Sequence, residues 1–165
     1  MLLPQACGRC NSPPVQIFNL LSGELADQDE RQEGWRLRAA RVGEAIGAAR
    51  IGGSVYELDE GQRTFPYHYH HGVEEWLIVI AGSPTLRTPD GERQLSPGET
   101  VCFPSGVAGA HTVRGPGRVL ILSAGQPSSV VVYPDSDKLG TRPPEQGDRL
   151  NFRRSTALGY WDGEA

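Results

Sequence analysis

An all-β, antiparallel fold is what this sequence predicts, and three observations predict it. The 165-residue chain carries 21 Gly and 13 Pro, scattered without a period, and these break it into pieces too short for long helices. Between the breaks lie short apolar or alternating segments of strand length. The breaks themselves are turn signals that join neighbouring strands: "PDG" at 89–91, "SPG" at 96–98 and "GPG" at 115–117. About ten short strands at close intervals read as a sandwich or barrel.

Each element follows in order. Residues 1–14 read as a flexible leader ending in "SPP". "VQIFNLL" (15–21) alternates as a strand, 23–34 is polar loop or a short helical turn, and "WRLRAARVG" (35–43) alternates again. A strand is expected at 54–58. Two extended segments, "PYHYH" and "EEWLIVIAG", follow around a short "HGV" loop. Strands 84–88 and 92–95 form a hairpin, and 99–103, 110–114, 118–125 and 128–134 complete the series. The single folded domain therefore spans 15–133. Residues 134–165 begin as a polar, Pro-rich excursion and then recover Leu150, Phe152, Leu158, Tyr160 and Trp161. These apolar residues predict an extension that packs on the barrel or on a partner subunit.

Composition excludes some partners. The net charge is -4, and Lys138 is the only lysine, so there is no basic patch for nucleic acid. The longest apolar run, Trp76 to Ala81, is far short of a membrane span. The N-terminus lacks the charged start and apolar stretch of a signal peptide, so a cytoplasmic location is expected. Cys7 and Cys10 form "CGRC" without a second pair, which reads as incidental cysteines in a tail. Cys102 is expected to be a buried, inert thiol.

The chemistry gathers at "FPYHYHHGVEEWLIVIAG", residues 65–82, which holds three of the four histidines. Alternate strand residues share a face. His68 and His70 therefore point one way, and His71 points away or lies in the turn. After the loop, Glu74 or Glu75 can face the two imidazoles. His111, the remaining histidine, opens a later strand after the Gly-rich "PSGVAG". Three imidazoles and a carboxylate converging inside a barrel suit a first-row divalent metal with open positions.

These segments resemble the two motifs of the cupin superfamily. The first motif covers Gly61, His68, His70, Glu75 and Gly82 (61–82), with Gly61 one residue early. The second covers Gly98, Pro104, Gly106 and His111 (98–115), with an enlarged turn before His111 and Gly115 where asparagine is usual. The resemblance implies a cupin β-barrel, a double-stranded β-helix or jelly roll, with short N- and C-terminal extensions. It selects Glu75 over Glu74. It implies one divalent transition metal (Mn, Fe, Ni, Co or Zn) on His68, His70, Glu75 and His111. Because the ligands must be deprotonated, occupancy is expected to fall through the imidazole range.

The family also implies a small-molecule substrate and a reaction among dioxygenases, isomerases, decarboxylases and lyases. The alternative is a non-catalytic module that binds a sugar or other small ligand around a structural metal. No catalytic residue stands out. Arg87 is a solvated arginine or a clamp for a substrate carboxylate, and "YPDSDK" is a surface turn or a lid. Tyr67, Tyr69 and Trp76 alternate against the ligands and should face away from the metal. Exposed strand edges and the aromatic tail predict a homodimer.

Overall fold

A computed structural model describes residues 14–28 and 32–164, with the side chains of 125–127 excepted. Cys7 and Cys10, and nearly all of the leader, lie outside the described residues. The strands are β1 (Ala26–Asp27), β2 (Arg38–Ala40), β3 (Gly52–Leu58), β4 (Tyr69–Gly82), β5 (Thr85–Thr88), β6 (Gly91–Gln94), β7 (Thr100–Phe103), β8 (Thr112–Arg114), β9 (Gly117–Tyr133), β10 (Lys138–Arg142) and β11 (Asn151–Arg153). One short helix, α1 (Val42–Ala45), lies between β2 and β3.

Two antiparallel sheets face each other. The larger has eight strands: the path β1-β2-β3-β9-β10-β11, with β4 pairing both β9 and β7. The smaller runs β6-β5-β8. Leu37, Leu58, Leu77, Val79, Leu86, Leu95, Phe103, Val113, Val119 and Ile121 fill the space between them. Two isolated bridges, Arg63 to Arg114 and His68 to His111, tie the sheets together. The arrangement is a jelly roll, in which all-β character and antiparallel pairing are as the turn-rich sequence predicts.

Several segments differ from that reading. Residues 15–21 are not a strand. Asn19 Oδ1 accepts hydrogen bonds from the N–H groups of Leu21 (2.8 Å) and Ser22 (3.1 Å), a side-chain turn that competes with sheet pairing. Phe18 and Leu20 instead cover the outer face of the large sheet beside Val42, Val55 and Leu120. Within 35–43 only Arg38–Ala40 is strand, and the chain turns into α1. The segments 118–125 and 128–134 are one long strand, β9. Beyond it, β10 pairs with β9 and β11 with β10. Leu158, Tyr160 and Trp161 are 78%, 85% and 76% exposed, so these tail side chains do not pack on this chain's own sheets.

The "HGV" loop is also absent. β4 runs unbroken from 69 to 82, and its register on β9 shifts between His71 and Val73, where pairing jumps from Val130 to Gly125. Gly72 sits at that irregularity with φ +82°, a left-handed conformation that favours glycine. Past it, the inward face passes from even to odd numbers: His70 before, and Glu75, Leu77 and Val79 after. Leu77 and Val79 are 0% and 2% exposed.

Candidate metal centre

His68, on the approach to β4, exchanges two backbone hydrogen bonds with His111, N–H to carbonyl at 3.1 and 2.8 Å. Such a directly opposed pair places both side chains on one face. The rings lie 4.8 Å apart, and the His68 and His70 rings 4.9 Å apart. Glu75 Oε2 reaches His70 Nε2 at 3.4 Å and His111 Nε2 at 3.6 Å. The four sequence-predicted residues are thus brought together. The potential ligand atoms of His68, His70 and Glu75 lie within 4.8 Å of one another.

The turn after Pro104 fixes this strand end. The His70 carbonyl accepts from the N–H of Gly106 (2.7 Å) and from Ser105 Oγ (3.2 Å), while Gly72 N–H donates to Ser105 Oγ (3.0 Å). The enlarged turn before His111 contains a single 3-10 turn, Val107–Gly109. Gly106 has φ +96°. The second motif therefore holds the irregularity of the first in place.

Ring orientation is set from behind. His68 Nδ1 lies 2.8 Å from the Pro66 carbonyl and His111 Nδ1 lies 2.9 Å from the Gly109 carbonyl. With Nδ1–H donating to these acceptors, each Nε2 keeps its lone pair for the cavity. The Phe103 ring stacks on His111 at 3.7 Å. Both His70 nitrogens and Glu75 Oε2 are buried without a hydrogen-bond partner. Buried polar atoms are rarely left so, and a metal ion would satisfy Glu75 Oε2 and one of the two His70 nitrogens. The donor set therefore fits a divalent transition metal.

Burial governs the charges. It pushes His111 down to about 3, helped by His68. It pushes His70 down to about 4, helped by His68 and the Arg142 guanidinium. His68 is lowered by burial against the opposing pull of the Pro66 and His111 backbone. Burial alone raises Glu75 from 4.5 to about 7. Near neutrality the imidazoles are uncharged and Glu75 shares a proton with solvent, so their close contacts are not ion pairs.

A cavity of about 260 Å³ opens over the four residues. Phe65, Ile121 and Val131 make its apolar wall, and Tyr56, Tyr133 and Arg142 add polar groups. A wider cleft of about 640 Å³, bordered by Arg41 and Arg50, also reaches Glu75 and shares Tyr56, Phe65 and Ile121 with the first cavity. Sequence reasoning missed Tyr133 and Arg142. Tyr133 could have been found from the alternation Val131, Tyr133 in "SSVVVY". Arg142 lies in a polar segment with no periodicity, and only the pairing of β10 with β9 places it.

Other residues fall elsewhere. His71 and Glu74 are on the exposed face, where Trp76 Nε1 donates to Glu74 Oε1 at 3.0 Å. Trp76 is 47% exposed. Arg87 is no substrate clamp: it makes two hydrogen bonds to Asp135, at 2.6 and 3.0 Å, and stacks over Tyr67. That pairing also ties "YPDSDK" down as a turn. Cys102 is exposed, contrary to expectation, because its neighbour Phe103 takes the inward position on β7.

The comparisons accord with this geometry. The family model described as a cupin domain matches residues 54–125, a span that contains both motifs. No curated protein sequence matches the chain. The chain is similar to the structure of a candidate sugar phosphate isomerase from Acidithiobacillus ferrooxidans, with TM-score 0.69 and 25% identity over 76% of this chain and 81% of that one. It is similar in fold to a cupin sugar phosphate isomerase from Silicibacter pomeroyi (TM-score 0.68, 22% identity, 76% and 82% covered). It is also similar in fold to the polyketide cyclase RemF from Streptomyces resistomycificus (0.51, 24%, 62% and 75%). A jelly roll whose first motif is pinned by its second, matched by the cupin domain model over residues 54–125 and similar in fold to cupin structures, identifies a cupin domain at the centre of this chain.

Proposed function

We propose that this cupin is a metal-dependent enzyme of isomerase or lyase type that acts on a small, oxygen-bearing molecule. The observation that carries the reading is the set of buried donors without partners, His70 and Glu75, beside two imidazoles whose Nδ1 atoms are already engaged. His68, His70, Glu75 and His111 would hold one Mn, Fe, Ni, Co or Zn ion. When bound, such an ion supplies Lewis acidity toward a substrate carbonyl or hydroxyl oxygen. The likeness to a candidate sugar phosphate isomerase supports isomerisation over oxygenation.

The chain's own residues would do the rest. Phe65, Ile121 and Val131 exclude water from one side of the cavity. Tyr133 Oη accepts a hydrogen bond from Arg142 at 3.0 Å and keeps its own proton for a substrate oxygen, which makes it the candidate acid. The Pro66 and Gly109 carbonyls hold two imidazoles in the required tautomer. A homodimer is proposed as well, supported by the exposed Leu158, Tyr160 and Trp161; a monomer in light scattering at micromolar concentration counts against it.

The test is metal analysis of protein purified without added metal, followed by aldose–ketose interconversion and O2-uptake assays. Stoichiometric metal with isomerisation is expected. Protein that retains no metal sinks the reading, and metal-dependent O2 consumption moves the chemistry to oxygenation.

A further inference from the structure

We propose that Arg142 anchors an oxyanion of the ligand, so that the cavity selects a small carboxylate or phosphate ester over neutral molecules of similar size. The inference rests on reading the cavity as the substrate site. Four described arginines are half-buried: Arg87, Arg114, Arg118 and Arg142. Three of them pair with carboxylates: Arg87 with Asp135, Arg114 with Glu92 and Arg118 with Glu57. Arg142 has none within ion-pair distance among the described residues. Its hydrogen bonds go to neutral oxygens, the Thr141 carbonyl (2.7 Å), Tyr133 Oη (3.0 Å) and Asn151 Oδ1 (3.4 Å). A guanidinium has five N–H donors in a planar fork matched to carboxylate and phosphate, so donors remain for a ligand.

The position is built, not incidental. Arg142 lines the same cavity as His68, His70, Glu75 and His111. Lys138, the only lysine, lies over the Tyr133 ring at 5.1 Å and adds a second cation on that strand. A Cβ at Gly140 would stand 2.8 Å from Arg142 Nη1, 2.5 Å from Asn151 Oδ1 and 2.9 Å from Val131 Cγ1. Gly140 is not in the left-handed region, so its backbone would accept alanine. What glycine provides there is room for the guanidinium. The donor set below offers a single carboxylate, Glu75. A half-buried cation with no carboxylate within ion-pair distance among the described residues is better satisfied when an anion arrives.

The test is calorimetric titration of inorganic phosphate, glycolate and glycerol into the full chain, as purified and after metal removal. Both anions should bind wild type and glycerol should not. Tighter phosphate indicates a phosphate ester as ligand, and tighter glycolate a hydroxy acid. Arg142→Gln should weaken anion binding roughly ten- to hundredfold, as expected for a charged hydrogen bond lost. Gly140→Ala should do likewise without removing the charge, and Arg142→Lys should recover part. Metal content should be unchanged in all three. Anion binding by both Arg142→Gln and Gly140→Ala within roughly twofold of wild type would overturn the inference. So would wild type that binds neither anion, or that binds glycerol equally well. Arg142-dependent binding by a protein that retains no metal keeps the anchor and removes only the metal-enzyme reading.

Discussion

The imidazole floor of the cavity and the cationic wall beside it differ in what holds them. The floor is fixed twice, by backbone bonds between His68 and His111 and by Leu77, Val79 and Phe103 underneath. The wall is Tyr133 and Arg142, carried by the end of β9 and by β10. β10 is backed on its far side by β11, whose three residues are all exposed. A floor tied to the core cannot drift without unfolding the domain. A wall at the end of one strand and on β10, near the edge of the sheet, can change its side chains at little cost in stability. On the proposed reading the difference separates two tasks: the core would keep the metal chemistry, and the strand ends would choose what is brought to it.

The sharpest way to break this contrast is at the floor's ligands. His111→Ala should abolish metal retention after dialysis against a weak chelator, whereas His71→Ala, on the exposed face, should hold as much metal as wild type. Loss in His71→Ala with retention in His111→Ala would reverse the assignment. Next comes stability. Leu77→Ala should cost about 2–5 kcal/mol, read from urea melts, while Phe152→Ala in β11 should cost under about 1 kcal/mol because Phe152 is 50% exposed. Equal costs would mean that the periphery is as integral as the core.

Gly72→Ala should cost about 1–2 kcal/mol through its positive φ alone, since a Cβ there meets only the Ser128 carbonyl, at 3.7 Å. An unchanged melt would show that the irregularity in β4 relaxes freely.

The smallest expected effect is on pH. With His70 near 4 and His111 near 3, these imidazoles are already neutral when metal arrives. Glu75, near 7, is the group whose proton the metal must displace. Affinity should therefore fall as pH drops below 7, about tenfold or ~1.4 kcal/mol per unit, with one proton released. A competition titration against a coloured chelator reads the slope, and a three-proton slope centred near 6.5 would restore the plain imidazole expectation.

In the metal-free protein, linkage gives a second signature. Glu75, raised on folding, favours the fold below pH 4.5 and loses that contribution as pH rises through 7. The histidines, lowered on folding, favour it above 6.5 and lose that contribution as pH falls through 4 and then 3. The imidazoles outnumber the carboxyl, so stability should decline on acidification below 6.5.

Much of the floor was legible in the sequence because its residues obey spacing rules: His68 and His70 by strand period, and Glu75 and His111 by motif. The route to that geometry was not legible. "HGV" looks like a loop, and only pairing with β9 shows Gly72 as a twist inside one strand. Asn19 ends a strand-like alternation through a side-chain bond that periodicity does not register. The sequence separates strands 118–125 and 128–134, yet β9 runs through the gap between them. Arg142 had no signal at all, because its role comes from which strand lies beside it. Arg87 carried a signal that proved empty once Asp135 was seen to neutralise it.

Gly72 gives β4 something like a reading frame. Upstream of it the inward letters are even, and downstream they are odd. Glu75 shares its frame with Leu77 and Val79, so a slip that turned the carboxylate outward would also drag two buried aliphatics into water. A slip of the strand onto the wrong face is therefore resisted by the oily interior, and the candidate metal site inherits its fidelity from residues that never touch it.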